Sequence, residues 1–103
     1  MKAYYIIGYD IDDMETFQQY PPQAAALIHE YGGEVLVSDT AAVAVEGHAK
    51  QMNAIVVFPD KEAAVTCYND KRYRSVMKIR HDSTSNCSMI LASAFDSEQN
   101  PAM

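Results

Sequence analysis

The sequence predicts an α+β fold in which helices cover one face of an antiparallel sheet. Three observations carry this. The stretch AYYIIGY at 3–9 is rich in β-forming residues and apolar on both alternating faces. Beyond it, apolar residues recur at helical spacing, then at strand spacing, then at helical and strand spacing again. The strand segments are also more apolar than a single buried face requires.

Each element follows in order. In 3–9, Tyr5, Ile7 and Tyr9 share one face, and Tyr4 and Ile6 share the other. Asp12 with Glu15 three residues later reads as a capping box, with Asp in the place of Ser or Thr. Phe17, Tyr20, Ala24, Leu27, Ile28 and Tyr31 follow at helical spacing, interrupted by Pro21-Pro22. The prolines break the hydrogen-bond ladder, so either a kink or two abutting helices is expected. Gly32-Gly33 supplies the helix stop. EVLVS (34–38) and AVAVEG (42–47) read as two strands of a hairpin, and NAIVVF (53–58) as a continuous apolar strand. Pro59-Asp60 ends that strand and caps a helix whose inner stripe is Ala64, Cys67 and Tyr68. Asn69-Asp70 breaks the helix, Asp70 caps a second one, and CSMILAS (87–93) is the last strand. Residues 1–94 thus form a single domain, and 95–103 a polar C-terminal tail.

That order is a split βαβ, ferredoxin-like sandwich, with helices on one sheet face. The other face stays apolar and uncovered, a patch too large for a monomer. A second copy packed sheet against sheet is the remedy, which predicts a homodimer.

Composition narrows the function. The chain has 103 residues, 49% of them apolar and 10% aromatic, which is one globular domain and no disordered one. A net charge of −6 argues against a general nucleic-acid binder. No segment approaches the roughly 20 apolar residues of a membrane span, and MKAYYIIGYD is too short for a signal h-region. Cys67 and Cys87 form no CxxC motif and have no metal-like His spacing, so they read as reduced thiols in a cytoplasmic protein.

Five of the eight Lys and Arg residues lie between 71 and 80. On a helical wheel Tyr73, Val76, Met77 and Arg80 form one stripe, while Lys71, Arg74 and Lys78 point away as a solvated face. Arg80 therefore points inward, where an unpartnered guanidinium is prohibitively costly. It needs a structural salt bridge, a helix C-terminus, or an anionic ligand. Glu46, sharing a face with Ala42 and Ala44, is the candidate partner for Arg80 or a candidate base. Tyr68 and Tyr73 flank the helix break on inner stripes, either as core or as pocket walls. His48 sits in a turn from which it could overhang a pocket mouth; His29 and His81 lie on outer or flanking faces. Cys67 reads as a buried small hydrophobe or a thiol near two tyrosines. No zinc-hydrolase, serine-hydrolase, P-loop or dinucleotide motif is present, so no metal and no cofactor are expected.

Tyr31-Gly32-Gly33, Glu46-Gly47, Phe58-Pro59-Asp60-Lys61-Glu62-Ala63, Cys67-Tyr68, Tyr73 and Arg80 together resemble a bacterial family of small proteins, domain of unknown function 1330. The resemblance runs to about residue 94. Cys67 stands where Trp is common, and 48–52 lacks the proline and arginine often found there. The family belongs to the dimeric α/β-barrel superfamily, which implies a dimer of ferredoxin-like protomers with a site between sheet and helices. That superfamily includes cofactor-free monooxygenases, lactone isomerases, dehydratases and sensing domains. The expectation is a small-molecule-binding homodimer whose ligand is small and anionic or aromatic. Two readings stay open: a cofactor-free enzyme on a small organic acid, lactone or aromatic, or a non-catalytic sensing or structural dimer.

Overall fold

The computed structural model describes residues 1–96. Strand β1 (Ala3–Ile11) leads through α1 (Met14–Phe17) and α2 (Tyr20–Glu30) to β2 (Glu34–Asp39). Then come β3 (Met52–Phe58), α3 (Lys61–Asn69), α4 (Lys71–Ser83) and β4 (Thr84–Ser93). The four strands order as β2-β3-β1-β4, and each neighbouring pair is antiparallel. This is the ferredoxin-like α+β sandwich expected. The expected polar tail, beyond Asp96, lies outside the described residues. Among the described residues no helix is long and apolar enough to cross a membrane.

The prolines resolve as two abutting helices: they occupy the first turn of α2, where missing N–H groups cost nothing. The helix start before them lies one residue later than the capping box predicted. Asp13 is the N-cap, accepting from the Thr16 N–H at 3.2 Å and the Thr16 hydroxyl at 2.7 Å. Asp12 is occupied elsewhere, donating its N–H to the Ser83 carbonyl at 2.8 Å and accepting from Ser85 Oγ at 3.0 Å. Helix α2 ends in a Schellman motif. Gly32, at φ +78°, bonds His29 O at 3.0 Å, and Gly33 bonds Ile28 O at 2.8 Å.

The expected strand at 42–47 does not form. Residues 40–51 are an irregular connection, and Val43 and Val45 are 84% and 92% exposed. Strand β2 pairs directly with β3, Val35 opposite Val56 and Val37 opposite Ile55. Every β2 residue is already exposed, so a further strand outside it would lie beyond the helices and bury little.

The inner sheet face carries Ala3, Tyr5, Tyr9, Met52, Val56 and Phe58, all buried. It packs under Ala64 and Cys67 of α3, while Ala24 and Leu27 of α2 meet Tyr73, Val76 and Met77 of α4. Among the described residues no helix covers the outer face. The register sets Val37, Ile55, Ile6 and Ile90 side by side across all four strands, with Ile6 47% and Ile90 58% exposed.

Candidate functional site

A partly open cavity of about 250 Å³ lies between the inner sheet face and α1, α2 and α4. Its walls are mostly aromatic and aliphatic: Tyr5, Tyr9, Phe17, Tyr20, Tyr68 and Tyr73, with Ile7, Ala24, Val56 and Met89 between them. Among the described residues one charged side chain lines it, Arg80.

Helix α4 puts Arg80 there. Asp70 fixes its start by accepting from the Arg72 N–H at 2.7 Å, and the Tyr73–Val76–Met77–Arg80 stripe turns inward. Its last turn is closed without the arginine. Thr84 Oγ1 donates to the Arg80 carbonyl at 2.6 Å, and Ser83 Oγ to the Ile79 carbonyl at 2.7 Å. The guanidinium, in a residue only 2% exposed, instead donates from Nη1 to Cys87 Sγ at 3.0 Å. Its Cζ lies 5.6 Å from the Tyr20 ring centroid and 5.9 Å from that of Tyr9. No ion pair among the described residues includes it. Burial works against its charge, but the Tyr20 and Tyr73 phenols and the Cys87 thiol more than offset that.

The rest of the basic cluster is the solvated face anticipated. Arg72 bridges Glu30 and Asp70, and Lys78 pairs with Asp82 at 2.7 Å. Arg74 meets Asn69 Oδ1 at 2.6 Å and lies 5.8 Å from the Tyr68 ring centroid.

The phenols facing the cavity form a chain of ring contacts: Tyr9–Phe17 at 5.7 Å, Phe17–Tyr20 at 5.9 Å, Tyr20–Tyr73 at 6.4 Å and Tyr73–Tyr68 at 5.8 Å. The Tyr20 and Tyr73 hydroxyls are 2.6 Å apart. Burial raises both above the usual phenol range, and it pushes Tyr9 up to about 12. These groups are therefore neutral hydrogen-bonding phenols at neutral pH and cannot serve as bases. Tyr5 is structural, donating to the Ala64 carbonyl at 3.0 Å. Burial also pushes the Cys67 thiol up to about 11, so Cys67 is a protonated core residue.

Of the residues singled out from sequence, Arg80, Tyr68 and Tyr73 line the cavity. Glu46 and His48 do not; both are exposed on the 40–51 connection, and no Glu46–Arg80 ion pair forms among the described residues. The expected pairing presupposed a strand at 42–47 that would have faced Glu46 inward. His29 and His81 are exposed as well. Among the described residues, no group of three His, Cys, Asp or Glu side chains could hold a metal ion.

Sequence reasoning passed over Tyr9, Tyr20 and Cys87 as site residues. Tyr9 and Tyr20 were already placed on the inner strand face and the helical stripe, so matching those stripes against Arg80 would have found them. Cys87 had no such signal. Its position beside Arg80 follows a β-bulge, where the β1–β4 register shifts between Gly8 and Asp10 and Asn86 adopts φ +54°. Chemically, the cavity offers a cation and neutral phenol donors in an apolar enclosure. The described residues lining it include no carboxylate, imidazole or thiol.

Solved structures that resemble this fold include the following three. A protein of unknown function from Rhodopseudomonas palustris superposes with a TM-score of 0.78 at 15% identity, covering 92% of this chain and 83% of that one. A dimeric protein of unknown function and ferredoxin-like fold from Bacteroides fragilis gives 0.64 at 8% identity, covering 90% and 96%. SnoaB, a cofactor-independent oxygenase from Streptomyces nogalater, gives 0.65 at 9% identity, covering 92% and 94%. At these identities the likeness is one of fold. No curated protein matches the chain in sequence. The family model for the domain of unknown function (DUF1330) matches residues 2–95, and the chain belongs to that family.

Proposed function

We propose that the protein is a small-molecule-binding homodimer, each protomer holding one small organic ligand between its sheet and its helices. The observation that carries this reading is the cavity itself. It stays open at about 250 Å³ although Tyr68 and Tyr73 wall it, and it is lined by the Arg80 guanidinium with no carboxylate among the described lining residues. A vestigial pocket would be filled by those side chains. Dimerisation is supported by the uncovered row Val37–Ile55–Ile6–Ile90 and by the dimeric Bacteroides fragilis neighbour. The free thiols Cys67 and Cys87 suit a reducing, cytoplasmic setting.

Cofactor-free chemistry on a small organic acid, lactone or aromatic is compatible with the site. The described residues of the cavity walls supply no base, so the protein's part would be to bind, exclude water and stabilise negative charge on a substrate oxygen. The likeness to SnoaB supports this direction. A non-catalytic sensing dimer is the second reading, favoured by the same lack of a base or nucleophile.

A thermal-shift screen of small carboxylates and phenols, with light scattering to fix the mass, tests the proposal. Stabilisation by members of one class, in a particle of twice the 11.5 kDa chain, is expected. A stable monomer that no compound stabilises contradicts it. Oxygen uptake or product formation with the bound compound then separates enzyme from sensor.

A further inference from the structure

Resting on the ligand-binding reading above, we infer that the cavity takes an aromatic monoanion, a one- or two-ring carboxylate or phenolate whose charged oxygen meets Arg80. A guanidinium carries five N–H donors, and among the described residues those of Arg80 face only neutral acceptors: the Cys87 thiol sulfur at 3.0 Å and the Tyr20 and Tyr73 phenols. The faces of Tyr9 and Tyr20 ease its burial but provide no counter-charge. A buried cation with no carboxylate beside it among the described residues, bordering an open cavity, suits an anionic ligand.

The Tyr20–Tyr73 pair adds a second donor. Two hydroxyls 2.6 Å apart share one hydrogen bond, so one phenol proton remains for another acceptor. Guanidinium and phenol together suit an oxyanion with charge-assisted bonds. With one cation among the described cavity-lining residues, the site suits one negative charge and disfavours two.

The body of the ligand follows from the walls and the volume. A cavity of about 150 Å³ accepts benzene; about 250 Å³ leaves room for a carboxylate or a second fused ring. Tyr9, Phe17, Tyr20, Tyr73 and Tyr68 form an arc of rings offering edges and faces to a planar guest.

Calorimetric titration of the full-length protein with 2-naphthoate, its neutral isostere 2-naphthamide and the straight-chain acid undecanoate tests this. Naphthoate should bind at least about tenfold more tightly than either of the others, the scale of one charge-assisted hydrogen bond. In Arg80→Met the preference for naphthoate over the amide should disappear. Amide binding equal to naphthoate in the wild type, or an undiminished preference in Arg80→Met, overturns the anion site while leaving the cavity as a binding site. Undecanoate binding as tightly as naphthoate overturns the aromatic class. Binding of none of the three overturns the ligand-binding reading itself. The amide and alkyl comparisons use wild-type protein, so they decide the matter even if the variant fails to fold.

Discussion

Replacing Gly33 by alanine should destabilise the protein more than replacing Gly32, although Gly32 has the unusual backbone angle. Gly32 sits at φ +78°, but a Cβ there would meet only Pro59, at 3.5 Å and 3.7 Å, an ordinary contact. Its penalty is the left-handed conformation, about 1–2 kcal/mol. At Gly33 a Cβ would lie 2.7 Å from Ile28 Cγ2, 2.8 Å from Phe58 Cε1 and 3.0 Å from the Ile28 carbonyl oxygen. Phe58 is 2% exposed and the carbonyl belongs to the Schellman closure of α2, so neither can yield freely. Overpacking of this kind costs about 1–3 kcal/mol, and the fixed carbonyl argues for the upper part of that range. Alanine also narrows the unfolded ensemble, offsetting about 0.4–1 kcal/mol in both variants. The net expectation is about 2 kcal/mol lost for Gly33→Ala and about 1 kcal/mol or less for Gly32→Ala, by these two contributions. Urea denaturation of both, fitted at constant m-value, measures the difference. Ile28 also lines the cavity, so ligand binding should weaken in Gly33→Ala alone. Gly32→Ala proving the more damaging would refute the reasoning.

Other expectations follow from the same contacts. Ile90→Asp places a carboxylate in the apolar outer row; light scattering should show a halved mass with unchanged circular dichroism, whereas an intact dimer would contradict sheet-to-sheet packing. Thiol titration of the native protein should label Cys87, which is exposed, and spare Cys67, which is 3% exposed with its thiol pushed up to about 11; denaturant should release the second thiol. Asp70 is held well below the usual carboxylate range, first by the Arg72 guanidinium and then by the Tyr31 hydroxyl at 2.6 Å. A depressed native value stabilises the fold above the unfolded value near 3.9, and that contribution fades as pH falls below it. Asp70→Asn should therefore flatten the acid limb of stability against pH below about 4.5, while leaving the slope near neutrality unchanged.

Much of the fold was legible because single residues dictate local geometry. Gly32-Gly33 stopped α2, Asp60 capped α3 by accepting from the Ala63 N–H at 2.7 Å, and Asp70 capped α4. Pro21-Pro22 marked a real junction because proline is tolerated only in a first turn. The inward turn of Arg80 was also readable, since a 3.6-residue period fixes which side chains share a face. The strand at 42–47 was misread because alternation of Ala and Val is a local signal, whereas pairing depends on which edge has a helix to pack against. That misreading is why Glu46 was expected to face Arg80. Cys87 was illegible for a different reason: a bulge opposite Gly8 and Asp10 sets its direction, and bulges leave only a faint mark in sequence.

Arg80 is proposed to serve a ligand and not the fold. The stability of ligand-free Arg80→Met by chemical denaturation tests that most directly. With no ion pair to Arg80 among the described residues, the substitution strands no buried anion, and methionine fills part of the same space. Stability within about 1 kcal/mol of wild type, or above it, is the expected result. A loss of about 3–5 kcal/mol, the cost of breaking a buried charge pair, would show that Arg80 is a structural partner and contradict the account.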